Sequence, residues 1–416
     1  MQSVEFCDIY YKYPTTIQTE IIVAKEFKLP AISLCFKITI SFKELCLHEP
    51  ELCKKPKNIE KFCKKHPVHC MEDTTNLTIP IAFQSNVILT RHLTPYLLND
   101  SYNDAQLFLA HGYDSKTRTF IDTDSVLLKC YSDNLHLFQS GSKLETWEID
   151  FFKSQRASFL SYALNQGNIE LFNSQDEPQE LFKSVDGPQV FVAIHSPYVP
   201  VDPLELQAIK PGKEYRIDIK LESEEHLLPP PYQTNCRDNG PSKDAKEFTN
   251  PNSYEMCLDL CKSKYIKGFN GCGLGMRMVM SEKDLCFLAI SQDNIEYYTG
   301  SKKKRDRALA CFKNCKQGCL KLQYSYKINE DDLNVMFKPS MSYISFKVKS
   351  PEVTIFRHVP LYGSGEIFSH VGGLLGCWLG MSVFTFADIL EKFVHKVAIW
   401  KKRFRKNKKK SQNIEF

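Results

Sequence analysis

Apolar and polar residues alternate along five runs of the chain. TWEIDFF (146–152), QVFVAIH (189–195), EYRIDIKL (214–221), CLKLQYSYKI (319–328) and YISFKVKSPEVTIFRHV (343–359) place apolar side chains at every second position, the pattern of strands with one buried face. Two other segments, SYEMCLDLCKSKY (253–265) and RALACFKNCKQGCL (307–320), repeat at helical spacing. The breaker-rich LPPPYQTNC (228–236) leads into the first of them. The pattern predicts a β-rich body with a helical arm.

One segment is apolar almost without interruption, from Ile367 to Leu390. It spans roughly 24 residues, or about 36 Å of helix, against a bilayer core of about 30 Å. Its only full charge is Asp388, near the end. The stretch VGGLLGCWLGMS inside it carries Gly372, Gly373, Gly376 and Gly380, and three of these recur every four residues. On a helix they form a smooth ridge along which membrane helices approach closely. The simplest reading is an anchor that packs as a dimer. In a pore, the same glycines free backbone carbonyls to face a water-filled axis, and Asp388 would lie on that axis or in its cytosolic vestibule.

The basic cluster WKKRFRKNKKK follows directly and places the C-terminus in the cytosol by the positive-inside rule, with the preceding bulk outside. Residues 1–30, broken by Glu5, Asp8, Lys12, Glu20, Lys25 and Glu26, hold no signal peptide and no span. Two expectations follow: an upstream hydrophobic helix precedes this sequence, or the chain is tail-anchored with its bulk in the cytosol. The cysteines decide for the first. There are 16 in 416 residues, a usage that points to an oxidising compartment. The sequons at Asn76 and Asn99 agree with it.

Most cysteines fall at 46–70 and 236–319. Cys257 and Cys261 are four apart, as are Cys311, Cys315 and Cys319, so on helices each set lines one face and two such helices can be riveted side by side. A zinc site is the alternative, disfavoured by the wide spacing and the absence of histidine between 236 and 319. In the first group, Cys46, Cys53, Cys63 and Cys70 lie near His48, His66 and His69. A metal site is conceivable there, with two disulfides the favoured reading. The net charge of +5 is concentrated in the tail, so nothing points to a nucleic-acid partner. No G-x-S-x-G, P-loop or H-E-x-x-H motif occurs, so neither an enzyme nor a cofactor is expected.

Three ordered motifs carry a resemblance. GEIFSHVGGLLGCWLGMSVFTFADILEKF resembles the second membrane helix of the degenerin and epithelial sodium channel (amiloride-sensitive sodium channel) family, with its G-G-x-x-G-x-x-x-G-x-S core and following carboxylate. YYKYPTTIQTEIIVAKEFKLPAISLC (10–35) is similar to the family's exit from its first membrane helix, and LPPPYQTNC with the later cysteines is similar to its thumb.

The resemblance implies an α+β membrane protein with a β-rich extracellular palm and β-ball, a disulfide-tied helical thumb and finger, and a C-terminal transmembrane helix, the first transmembrane helix being missing. It places the outer end of that helix at 1–14, the extracellular domain at 15–366 with a thumb at about 232–320, the pore helix at 367–390 and a basic cytoplasmic tail at 391–416. It assigns the selectivity filter to Gly380, Met381 and Ser382 and the carboxylate below it to Asp388, with Gly372, Gly373 and Gly376 in helix packing. It pairs Cys236 with Cys319, Cys257 with Cys315, Cys261 with Cys311 and Cys272 with Cys286.

The function so implied is a subunit of a trimeric, stimulus-gated, sodium-selective and amiloride-sensitive channel of the plasma membrane. Its partners are sodium ions, sister subunits and membrane lipid. Two departures stand out. Met381 replaces a small filter residue, and the family's C-Y-T-F-N element reads Ser161 to Asn165, so its disulfide is lost and Cys130 is free or paired elsewhere. A non-conducting modulatory subunit or a singly anchored cysteine-rich receptor is the alternative. A trimeric ATP-gated channel would share the topology but not the thumb pattern.

Overall fold

The computed structural model describes residues 2–37, 46–47, 50–65, 70, 75–80, 117–122, 127–149, 158–165, 190–243, 249–270, 276–281, 309–333, 341–379 and 383–412. The chain divides into two compact units. One comprises residues 19–229 and 235–357, the other residues 1–18, 230–234 and 358–416.

The principal strands are β1 (Thr15–Val23), β2 (Ala31–Lys37), β3 (Thr117–Asp122), β4 (Leu127–Asp133), β5 (Leu160–Asn165), β6 (Val190–His195), β7 (Gln207–Ile209), β8 (Lys213–His226), β9 (Leu320–Asp332), β10 (Met341–Val348) and β11 (Glu352–Pro360). Among the described residues they form two sheets. The larger runs β1-β11-β8-β10-β5, with β9 also paired to β8, and the smaller runs β7-β6-β2-β4-β3. The long run at 343–359 is two strands, separated at Lys349, Ser350 and Pro351, because proline lacks the N–H a ladder needs.

Strand β8 organises the larger sheet. Its residues 214–219 pair in parallel with β10, and residues 223–226 pair in parallel with β11. Between these two partners the register against β9 shifts at Leu221 and Ser223, a bulge that bends one strand toward two neighbours. Tyr215, Ile217, Ile219 and Leu221 are buried by alternation. They share a core with Ile32, Leu34 and Phe36 of β2, so the two sheets enclose a common apolar layer.

Strand β2 is buried on both sides, which explains why AISLCF does not alternate. Its opposite face carries Cys35, which packs with Cys130, Ile121 and Met256. Met256 belongs to the helix Tyr254–Asn270.

The helices are α1 (Gln2–Tyr10), α2 (Ile59–Lys65), α3 (Tyr254–Asn270), α4 (Ser364–Leu379) and α5 (Val383–Gln412). Residues 309–314 are also helical. Here the helical expectation for 307–320 is corrected: Cys311 lies in those helical residues, whereas Cys315 and Cys319 lie beyond them. Past residue 314 the chain pairs with Arg237 instead, whose N–H donates to the Gln317 carbonyl and whose carbonyl accepts from Cys319 N–H, each at 2.8 Å; a Cβ added at Gly318 would collide with the carbonyl of Asn252 and lie 2.7 Å from Nδ2 of Asn239.

The apolar segment 367–390 falls in α4 and α5, with residues 380–382 outside the described residues. Among the described residues no helix is long and apolar enough to cross a membrane. The 16 residues of α4 rise about 24 Å, and α5 is interrupted by charge from Glu391 onward.

Candidate functional site

The smaller unit is assembled from three distant segments. Phe6 of α1 stacks on His370 of α4 with ring centroids 3.9 Å apart and meets Tyr362 edge to face at 5.2 Å. Leu361 N–H donates to the carbonyl of Pro14 at 2.9 Å. Tyr13, at a positive φ of 49°, meets Tyr232 edge to face at 5.8 Å. The entry to α4 is capped by its own sequence: Glu366 Oε2 accepts from Gly363 N–H at 2.5 Å, the reach-back half of a capping box.

On α4, Gly372, Gly373 and Gly376 are exposed. A Cβ added at Gly372 or Gly373 would meet nothing within 4 Å, so this part of the ridge is open within one chain. Asp388 is exposed on α5. Gly380, Met381 and Ser382 lie outside the described residues, as do Cys272, Cys286 and Asn99. Asn76 is exposed.

In the larger unit the helical arm is held by three disulfides: Cys236 to Cys319, Cys257 to Cys315 and Cys261 to Cys311. Their thiolates are therefore committed to sulfur and do not compose a zinc site. Cys46 bonds to Cys53 and Cys63 to Cys70. Asp259 of α3, itself buried, accepts from Arg277 Nε at 3.0 Å and ties the helix to the segment after it.

The placement of the C-Y-T-F-N element at Ser161 to Asn165 is corrected, and of the two expectations for Cys130, free or paired elsewhere, the structure shows the second. Cys130 is bonded to Cys35, and the two are direct cross-strand partners in β2 and β4. The C-Y-x-x-N pattern is met by Cys130, Tyr131, Ser132, Asp133 and Asn134, while Ser161 to Asn165 lie in β5 against β10. Asn134 sits at a positive φ of 51° and donates from Nδ2 to the Leu29 carbonyl at 2.7 Å, fixing the turn after β4.

Two buried polar groups were not visible as sites in the sequence. Glu224 is 6% exposed and accepts from both Lys28 Nζ and His226 Nε2. Burial opposes its charge, but the hydrogen bonds from His226 and Lys28 outweigh it and hold the carboxyl below its usual range. His195, at the end of β6, is buried, and desolvation lowers its pKa to about 4 against the pull of hydrogen bonds to the Val199 and Ser196 carbonyls.

A model of the amiloride-sensitive sodium channel family matches residues 1–391. Over 74 residues the chain is 28% identical to the FMRFamide-activated amiloride-sensitive sodium channel of Cornu aspersum, a match covering 17% of this chain and 12% of that protein. Among solved structures, that of a proton-activated chloride channel aligns over 95% of this chain and 91% of the other at 6% identity, with a TM-score of 0.21, and nothing is carried over from it.

Proposed function

Because the chain belongs to the amiloride-sensitive sodium channel family, we propose that it is a subunit of a sodium-selective, amiloride-sensitive cation channel of the plasma membrane. The observation that carries this reading is the family match over residues 1–391. Ions would cross without bond chemistry, so no cofactor enters. The larger unit is read as the extracellular palm, β-ball and thumb, with α4 and the start of α5 as the membrane-crossing pore helix and the basic end of α5 in the cytosol, near anionic lipid.

In this reading three subunits bring their α4 ridges together. The open face at Gly372 and Gly373 supports such a contact, since it leaves room for another helix. Gly380, Met381 and Ser382 line the filter, and Asp388 lies below it. The stimulus is transmitted from the thumb through β11 to α4, and the aromatic contacts Tyr13 to Tyr232 and Phe6 to His370 lie on the segments that must move. The relative's activation by FMRFamide makes a short amidated peptide the first stimulus to try.

The test is current recording from oocytes expressing the natural transcript's product, alone and with sister subunits, during application of Phe-Met-Arg-Phe-amide. Inward current that follows external sodium and is blocked by amiloride is the expected result. Absence of any sodium current, with the protein present at the surface and Met381→Ala equally silent, would favour the modulatory reading.

A further inference from the structure

Residues 54–65 of the larger unit read KKPKNIEKFCKK, with six lysines against a single carboxylate, Glu60. The stretch is held in shape from both ends. The bond from Cys46 to Cys53 ends beside Lys54, and the bond from Cys63 to Cys70 ends beside Lys64, each at a sequence separation of 7. Cys53 and Lys54 pair across with Pro80 and Ile79. Between the two bonds Asn58 caps α2, its Oδ1 accepting from Lys61 N–H at 2.9 Å. Phe62 packs on the buried Leu77. That contact turns one face of α2 inward and leaves Lys61 and Lys64, three residues apart, on an outer one.

Lys54, Lys57, Lys61 and Lys64 are exposed, and among the described residues none of the four forms an ion pair. Lys55 differs, because its Nζ donates to the Thr75 carbonyl at 3.0 Å and is part of the scaffold. Four like charges fixed close together in sequence repel one another, and a polyanion laid across them relieves that repulsion. A lysine run of this kind suits nucleic acid or a heparin-like chain. The same module carries two of the disulfides and the exposed sequon residue Asn76, the marks of an oxidising compartment. Phe62, the one aromatic residue of the stretch, is half-buried against Leu77, so no ring stands free for bases to stack on. Both observations favour the polysaccharide.

We infer that this stapled lysine patch binds a sulfated polysaccharide of the extracellular surface, whose sulfate groups meet Lys54, Lys57, Lys61 and Lys64. The inference rests on the extracellular placement of the larger unit and does not require that the chain conduct ions. Lysine serves here as a point charge, so recognition follows the density of negative charge along the polymer.

Surface plasmon resonance of the purified full chain over immobilised heparin is expected to show saturable binding, weakened at least about tenfold between about 50 and 200 mM salt. Replacing Lys54, Lys57, Lys61 and Lys64 together with glutamine should weaken it at least about tenfold as well, with thermal midpoints unchanged. The control is the same replacement at Lys406, Lys408, Lys409 and Lys410, which removes as many charges from the basic tail and should leave most of the affinity. No saturable binding, or binding lost in the tail variant and kept in the patch variant, overturns the inference. Competition by polyglutamate as strong as that by free heparin overturns the choice of polysaccharide and assigns the patch to an acidic polypeptide. Heparin binding by the purified chain that cells expressing it show only after permeabilisation would instead overturn the extracellular placement, and with it the sulfated partner.

Discussion

Nε2 of His195 lies 2.9 Å from Oγ of Ser33, and Ser33 in turn lies 2.6 Å from Oγ of Ser132, its direct neighbour across β2 and β4. The other ring nitrogen faces the carbonyls of Val199 at 2.8 Å and Ser196 at 3.0 Å. Carbonyls only accept, so Nδ1 carries the proton and the neutral ring accepts from Ser33. Every polar atom in this chain of groups is satisfied only while His195 is uncharged.

A histidine whose folded pKa is about 4 against an ordinary 6.5 binds its proton more readily in the unfolded chain. Its stability contribution is therefore complete above about pH 6.5 and is lost as pH falls toward 4. The loss amounts to about 3 kcal/mol at about 1.4 kcal/mol per pKa unit. Thermal midpoints of the detergent-solubilised chain should fall across that window, and His195→Gln should flatten the slope there. Equal slopes in both proteins would refute the assignment.

Glu224 acts in a different window. Its folded pKa lies below 4.5, so its contribution is present above that value and is lost as pH falls through the folded pKa. Replacing it with Gln keeps an acceptor oxygen but removes the negative charge that Lys28 and His226 face, and a cost of about 2 kcal/mol is expected. A double-mutant cycle with Lys28→Met should show coupling of about 1 kcal/mol; strict additivity would mean that the pair is not formed.

The bond from Cys35 to Cys130 closes a loop at a sequence separation of 95. Chain-entropy reasoning gives it about 4–5 kcal/mol, and replacing both residues with alanine should lower the urea midpoint accordingly. Peptide mapping without reduction gives a direct check, because recovery of alkylated Cys130 would show that the bond is absent.

Gly318→Ala should destabilise the chain by about 1–3 kcal/mol, since the methyl group meets the carbonyl of Asn252 and the side chain of Asn239 rather than flexible atoms. Gly141→Ala, where a Cβ meets nothing within 4 Å, is the matched control. Similar midpoints for the two variants would place Gly318 in a roomier loop than the structure gives it.

The strands were legible where one face meets the core and the other meets solvent. In β8, Tyr215, Ile217 and Ile219 announce themselves by alternation. Helix α3 was legible too, because Met256 and Leu260 repeat at helical spacing against the smaller sheet. The helix at 309–314 was overextended, because the four-residue spacing of Cys315 and Cys319 imitates a helical face, whereas the backbone of residues 317–319 is hydrogen-bonded to Arg237.

The C-Y-x-x-N element was misplaced for a related reason. Both 130–134 and 161–165 lie largely in strands with a tyrosine at the second position and an asparagine at the fifth, but only the first begins with the cysteine the element requires, so its place was readable in the sequence and the bond to Cys35 fixes it.

The stacking of Phe6 on His370 also sets an order of events during synthesis. The two rings are separated by roughly 360 residues, so at about 5–20 residues per second the aromatic ring made first waits about 20–70 s for its partner to leave the ribosome. The segments ending at residue 18 and at residue 234 can complete their unit only once residues from 358 onward have been made. Newborn chains interrupted before residue 358 would thus carry α1 without its seat.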